Sequence, residues 1–204
     1  MAEYGRSAYW DERYTKDPEP FDWYQRYSGL KDLINQYLKR HDQILMAGSG
    51  NSRLTEELYA DGFKSIANVD ISPVAIEQMK EKYDADKYKG ISWHEMDMCK
   101  LVFPDEQYDA VVDKGTLDSI LCGENSTANA AKMCKEVSRV LKPDGVYFVV
   151  SYGTPENRLS YLEQEDYSWN VTVHTIAKPT VSAQAVADSS DASAVHYIYV
   201  CQKK

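Results

Sequence analysis

A chain of 204 residues fits one domain, or one domain with a small appendage, and can bury roughly 70% of its unfolded surface without staples. Its net charge of −9 and pI near 5.0 argue against a general nucleic-acid binder, which carries a basic face, and suit a basic protein partner or a small cationic ligand. Four cysteines without a Cys-x-x-Cys pair and four histidines without ligand spacing support neither a metal site nor a disulfide framework, and no apolar run approaches the ~20 residues of a membrane span.

The first segment, Met1 to Tyr14, is polar and aromatic, so no signal peptide is expected and the protein reads as cytoplasmic. Residues 1–42 carry many aromatics, among them Tyr4, Trp10, Tyr14, Phe21, Trp23 and Tyr24, followed by a predicted covering helix over 30–38. Gln43–Ala47 is a short apolar run that stops at Gly48. Residues 53–60 follow with helical spacing of Leu54 and Leu58. A strand over 65–69 ends at Asp70. Ser72-Pro73 then opens a helix through Tyr83, with the serine as N-cap and the proline at the first helical position.

A third strand is predicted over 91–96 and a fourth over 108–112, ending at Asp113. A long helix over 127–141 places Met133, Val137, Val140 and Leu141 on one face. Pro143-Asp144-Gly145 turns the chain into a fifth strand over 146–150. Beyond Ser151 the rhythm changes: 168–177 and 195–201 alternate as a late hairpin, and the Ala, Ser and Asp-rich stretch 182–194 reads as a mobile loop between them. Strands alternating with helices imply βαβ units and a mostly parallel sheet.

The chemistry gathers at a glycine turn, Gly48-Ser49-Gly50-Asn51-Ser52, after the first strand. Glycine there allows a sharp turn and close approach of backbone to a ligand, and the following helix aims its N–H groups at the same place. A dinucleotide site wants a third glycine, and Arg53 stands there instead. Asp70, at the end of the second strand, can accept hydrogen bonds from both hydroxyls of a ribose. Asp97, at the end of the third, can receive an adenine amino group while Met98 packs on the ring. Each residue alone also fits a turn glycine or a helix-capping aspartate; together, at matching strand ends, they read as a nucleoside cofactor without a pyrophosphate.

These motifs resemble the class I, seven-strand S-adenosylmethionine-dependent methyltransferases across about residues 40–152. Leu45 to Gly50 resembles their first motif, Asp70 the ribose acid, Met96-Asp97-Met98 the adenine motif, and Tyr108 to Asp113 the fourth motif. A narrower resemblance, over nearly the whole chain, rests on Tyr9-Trp10-Asp11-Glu12-Arg13-Tyr14, Pro20-Phe21-Asp22-Trp23-Tyr24 and Asp113-Lys114-Gly115-Thr116-Leu117-Asp118. That branch is the elongation factor 1A lysine methyltransferases, of the lysine methyltransferase 4 type, with the related methyltransferase-like 13 domains.

The resemblance implies an α/β, Rossmann-like doubly wound, mostly parallel seven-stranded sheet with a C-terminal antiparallel hairpin. It implies a single domain over 1–204: an aromatic lid and covering helix (1–42), a cofactor-binding core (43–151) and a hairpin and substrate region (152–204). The cofactor would be S-adenosyl-L-methionine. Trp10, Tyr14, Trp23, Gly48, Gly50, Asp70, Ile71, Asp97, Met98 and Lys114 would contact it. Asp113 and Lys114 are the candidate catalytic positions, Asp113 orienting an amine by side chain or carbonyl and Lys114 pairing with the cofactor carboxylate; Asp118 is read as a cap for the segment after Gly115. The implied partner is a lysine of elongation factor 1A, met by a monomer that binds neither nucleic acid nor membrane. A small-molecule methyltransferase and a non-catalytic cofactor-binding module are the rival readings.

Overall fold

The computed structural model describes residues 3–179 and 194–204. One sheet holds β1 (Gln43–Ala47), β2 (Ser65–Asp70), β3 (Ile91–Glu95), β4 (Tyr108–Lys114), β5 (Leu141–Ser151), β6 (Trp169–Ala177) and β7 (Val195–Lys203). Their order is β3-β2-β1-β4-β5-β7-β6. The first five strands pair in parallel, while β7 runs antiparallel to both β5 and β6. The chain therefore adopts the doubly wound, mostly parallel sheet and late hairpin expected of it.

The period-2 alternation of β1 divides the core. Ile44 and Met46 point to a layer built from α2 (Tyr27–Tyr37) and α3 (Leu54–Ala60), where Leu30, Ile34, Leu54 and Leu58 are buried. Leu45 and Ala47 point to the opposite layer, built on α6 (Ser126–Val140) through Ala130, Met133, Cys134 and Val137. A smaller cluster packs Ile76 and Met79 of α4 (Pro73–Lys82) on Trp93 of β3. Burying each such side chain contributes about 1.5–3 kcal/mol, which is what keeps a parallel sheet covered on both faces.

α4 begins as its sequence dictates: the Ser72 hydroxyl accepts the Ala75 N–H at 3.2 Å, with Pro73 at the first helical position. Three helices were not among the sequence expectations: α1 (Ser7–Lys16), α5 (Thr116–Leu121) and α7 (Pro155–Leu162). α1 lacks an aliphatic stripe and rests on aromatic contacts, so helical periodicity is silent there. The expected turn at Pro143-Asp144-Gly145 lies inside β5 instead of before it. The strand absorbs it as an irregularity, with Asp144 at φ +64° and a register shift opposite Tyr108 and Ala110. The loop expected over 182–194 falls almost wholly outside the described residues.

Strand order reverses between β1 and β4. In such sheets the crevice beyond the carboxyl ends of these strands is where ligands bind. The Gly48 turn, Asp70, Asp97 and Lys114 all follow or end strands on that edge.

Candidate active site

A cavity of about 310 Å³ opens at this edge. The glycine turn forms its floor. Gly48 and Gly50 have φ of +57° and +51°, the left-handed region that costs other residues strain. A Cβ on Gly48 would also sit 2.1 Å from the Thr116 hydroxyl oxygen, which donates to the Ala47 carbonyl at 2.8 Å. A Cβ on Gly50 would sit 2.5 Å from the Tyr14 hydroxyl oxygen. Both glycines are thus needed for space as well as for backbone conformation.

Asp70 locks the turn. It is buried, with one carboxylate oxygen accepting the Gly50 N–H at 2.8 Å and the other the Ser72 N–H at 2.9 Å. Burial pushes its carboxyl up to about 6, against the opposing pull of those N–H groups. Two oxygens with two lone pairs each leave acceptor capacity toward the cavity that Asp70 lines. Asp97 is exposed, lines the cavity, and accepts the Cys99 N–H at 2.8 Å; Met98 beside it is buried, and Ile71 is 43% exposed.

The aromatic N-terminal segment, called the lid below, lines one side of the cavity. Trp10 stacks between Tyr4 and Tyr14, with centroids 5.9 Å away on each side, and Trp23 meets its edge at 6.4 Å. The polar residues after the glycines fasten this lid. Asn51 accepts the Phe21 N–H at 3.2 Å and donates to the Glu19 carbonyl at 2.8 Å, and the Ser52 hydroxyl donates to Asp22. From the α4 side, Ser72 donates to Asp11 at 2.6 Å and Gln78 to the Tyr14 carbonyl at 2.9 Å. None of these fastening roles was read from the sequence, although Asn51 and Ser52 sit inside the turn motif.

The fourth strand carries the largest departure from expectation. Asp113 is fully buried and is not among the residues lining the cavity. Its carboxylate accepts the Thr116 N–H at 2.7 Å, the Leu117 N–H at 3.1 Å and the Tyr147 hydroxyl at 2.9 Å. Gly115 is the N-cap of α5, and it is Asp113, not Asp118, that accepts the first N–H groups of that helix. Burial raises its carboxyl to about 7. Its side chain therefore does not reach an amine in the cavity; a part for Asp113 there is limited to its backbone. Asp118 instead lines the cavity and gathers the Tyr24 hydroxyl at 2.8 Å, the Ser151 hydroxyl at 2.5 Å, the Tyr152 N–H at 2.8 Å and Arg158 at 2.9 Å.

Lys114 lines the cavity with its side chain 5% exposed, paired to Asp22 at 3.2 Å and donating to the Trp23 carbonyl at 3.1 Å. Burial lowers its pKa against the pull of Asp22. It thus ties β4 to the lid, and its charge is already partly balanced. Apart from Asp113, every expected site residue lies in this one cavity: Trp10, Tyr14, Trp23, Gly48, Gly50, Asp70, Ile71, Asp97, Met98 and Lys114.

A Rossmann-like sheet with a glycine turn, a strand-end carboxylate and a lidded cavity at the switch point is the architecture of the α/β proteins that bind ligands beyond their strand ends. Residues 45–149 match the family model described as a methyltransferase domain, and the chain belongs to that family. Among curated proteins it is 33% identical to EEF1A lysine methyltransferase 4 of Mus musculus, over 83% of this chain and 69% of that protein. It is 35% identical to the eEF1A lysine and N-terminal methyltransferase of Bos taurus, over 86% of this chain and 26% of that longer protein. The chain therefore spans about a quarter of the latter's length. Among solved structures, a SAM-dependent methyltransferase of Methanosarcina mazei superposes with a TM-score of 0.62 at 17% identity, covering 90% of this chain and 99% of that one. A structure from work on conversion of a disulfide bond into a thioacetal group in echinomycin biosynthesis gives 0.69 at 15% identity, covering 98% and 93%. At these identities the structural likenesses speak to the fold alone.

Proposed function

We propose that this chain is an S-adenosylmethionine-dependent protein-lysine N-methyltransferase whose target is translation elongation factor 1A. The observation that carries the reading is the lidded cavity over the glycine turn, in a chain whose relatives bear that activity in their names. The donor set fits the cofactor. The Ser49 hydroxyl oxygen, in the turn, is buried without a hydrogen-bond partner among the described residues. Spare acceptor capacity on Asp70 suits ribose hydroxyls, the carboxylate of Asp97 suits an exocyclic amino group, and Ile71 and Met98 suit the faces of a purine. Lys114, shared with Asp22, suits a carboxylate only if that pair rearranges.

When bound, S-adenosylmethionine supplies a methyl carbon on a positively charged sulfur. A lysine nitrogen would take that methyl group through its lone pair, so the residues of the cavity must present it neutral and in line. The nitrogen must first shed a proton to water, its free pKa being about 10.4. The apolar walls of Trp10, Trp23 and Tyr24 favour the neutral amine by desolvation, and the faces of Trp23 and Tyr24 also attract it while charged. The chain's own contribution is positioning and exclusion of water, effects worth roughly 7–11 kcal/mol when geometry is well set. No side chain of the cavity is assigned as a dedicated base.

The test is incubation with labelled S-adenosylmethionine and cell lysate. Label in a protein band identified as elongation factor 1A supports the proposal, and label only in small metabolites supports the small-molecule rival.

A further inference from the structure

The network around Asp118 is larger than a helix cap or an ordinary surface ion pair requires. Asp118 is 8% exposed, and its two oxygens receive hydrogen bonds from Tyr24, Ser151, Tyr152 and Arg158. Those donors come from the lid, the end of β5 and α7, so the carboxylate ties together three parts of the cavity mouth. Its acceptor sites are occupied. It has no room to take a proton or an N–H from a substrate without surrendering an internal partner. Its consequence is felt through Tyr24.

Tyr24 is held unusually firmly. Its backbone has φ +63°, a left-handed conformation that costs a non-glycine residue strain. Its ring lies against Gly115, where even a methyl group would come within 3.3 Å of it, and close to Trp23, Tyr152 and His196. Its hydroxyl proton is committed to Asp118. Burial and the Asp118 charge both push its pKa up, so the phenol stays neutral. A phenol whose one proton is spent can only accept, and donation to a carboxylate makes its oxygen a stronger acceptor. Tyr24 lines the same cavity as Gly115 and Asp118, beyond the end of β4.

The neighbouring aromatic surface shows what kind of donor suits this corner. Tyr152 is 62% exposed at the mouth, and the Lys178 ammonium sits 4.8 Å from its ring centroid. The Tyr152 ring thus already takes an ammonium from the chain itself.

We infer that the Tyr24 phenol oxygen is the acceptor that orients the substrate amine, and that Asp118 is a positioning residue that fixes the phenol proton so that only the acceptor side faces the amine. The ligand class is a primary or partly methylated aliphatic amine presented on a lysine side chain. One N–H held by Tyr24 turns the nitrogen lone pair toward the methyl carbon. In the transfer that follows, the amine donates its lone pair, the sulfur keeps the electrons of the broken bond, and Tyr24 neither gains nor loses a proton. This inference rests on the protein-lysine methyltransferase reading above.

The test compares the wild-type chain with Tyr24→Phe, Asp118→Asn and the double variant. Tyr24→Phe keeps every ring contact and removes only the oxygen. The expected result is a kcat on the protein substrate at least tenfold lower. Affinity for S-adenosylhomocysteine by calorimetry should stay within about twofold, and the fold should survive with a thermal midpoint lowered by only a few degrees, the cost of the hydrogen bond lost to Asp118. Asp118→Asn should lower kcat in the same direction, and the double variant should be no worse than the more severe single, because both changes remove one positioned acceptor. Turnover by Tyr24→Phe within twofold of wild type overturns the inference. So does a large loss of S-adenosylhomocysteine affinity in Tyr24→Phe, which would assign Tyr24 to the cofactor, and so does full additivity of the two substitutions. If the wild-type chain binds S-adenosylhomocysteine but methylates no protein lysine, it is the underlying functional reading that fails, and the inference with it.

Discussion

At the residue scale, the burden falls on a few atoms whose neighbours leave little freedom. Asp70 both closes the glycine turn and lines the cavity, so Asp70→Ala should do two things at once. It should leave the Gly50 and Ser72 N–H groups unpaired, a cost of about 1–3 kcal/mol. In a chain of this size each kcal/mol lowers the thermal midpoint by roughly 2–4 °C. It should also weaken S-adenosylhomocysteine binding by at least tenfold in calorimetry; unchanged affinity would sink the assignment of Asp70 to the cofactor.

Asp113 makes a pH prediction. Its carboxyl is raised from an ordinary 3.8 to about 7 in the folded protein. Between those values the folded chain holds a proton that the unfolded chain releases, so this group's contribution to stability falls as pH rises from about 4 to about 7. Asp70, raised to about 6, acts in the same direction, whereas Asp109 and Glu136, lowered in the fold, act in the opposite one. Asp113→Asn isolates this contribution. The stability of the wild type relative to this variant, read from denaturation midpoints, should decline from pH 4 to pH 8, and a constant difference would refute the buried-carboxyl account.

The glycines, Asp70, Asp97 and Met98 were legible in the sequence because strand ends and a glycine turn fix where they must lie. The parts of Asp113 and Asp118 were not. They stand five residues apart around one short helix, and spacing alone does not decide which carboxylate turns inward. Burial against Tyr147 decides it for Asp113, and Arg158, far along the chain, decides it for Asp118.

At the scale of elements, the lid is the part whose behaviour can be changed without touching the sheet. Asn51 clamps the lid segment through Phe21 and Glu19. Asn51→Ala should therefore speed release of S-adenosylhomocysteine severalfold in stopped-flow measurements while leaving the core intact; an unchanged release rate would mean that the lid is held by its aromatic contacts alone. Met133→Ala, in α6 and fully buried, is the contrasting case. It should cost about 2–5 kcal/mol in urea denaturation with little effect on binding. α2, α3 and α6 could be read from apolar periodicity because each buries an aliphatic stripe, α4 from its Ser72-Pro73 start, and the central strands from apolar runs that the sheet covers on both faces. α1 could not, since its buried side is aromatic and shared with the lid. α7 carried a start signal, Thr154-Pro155, but lacked a run of apolar residues to give it weight.

At the scale of the whole molecule, the candidate binding residues on the sheet all follow or end β1, β2, β3 and β4 at one edge. Only a ligand that fits this edge should stabilise the entire fold. At a hundredfold excess over its Kd, a ligand stabilises the native state by about 2.7 kcal/mol. S-adenosylhomocysteine should raise the thermal midpoint accordingly, while NAD should not, because the turn has Arg53 where a dinucleotide site wants its third glycine.

The most direct measurement of the central claim is mass spectrometry of elongation factor 1A after incubation with the protein and S-adenosylmethionine. The account predicts methyl increments on a lysine of elongation factor 1A with the wild-type chain and none with Asp70→Ala. Elongation factor 1A that stays unmodified, under conditions where calorimetry shows the wild-type chain binding S-adenosylhomocysteine, would contradict it.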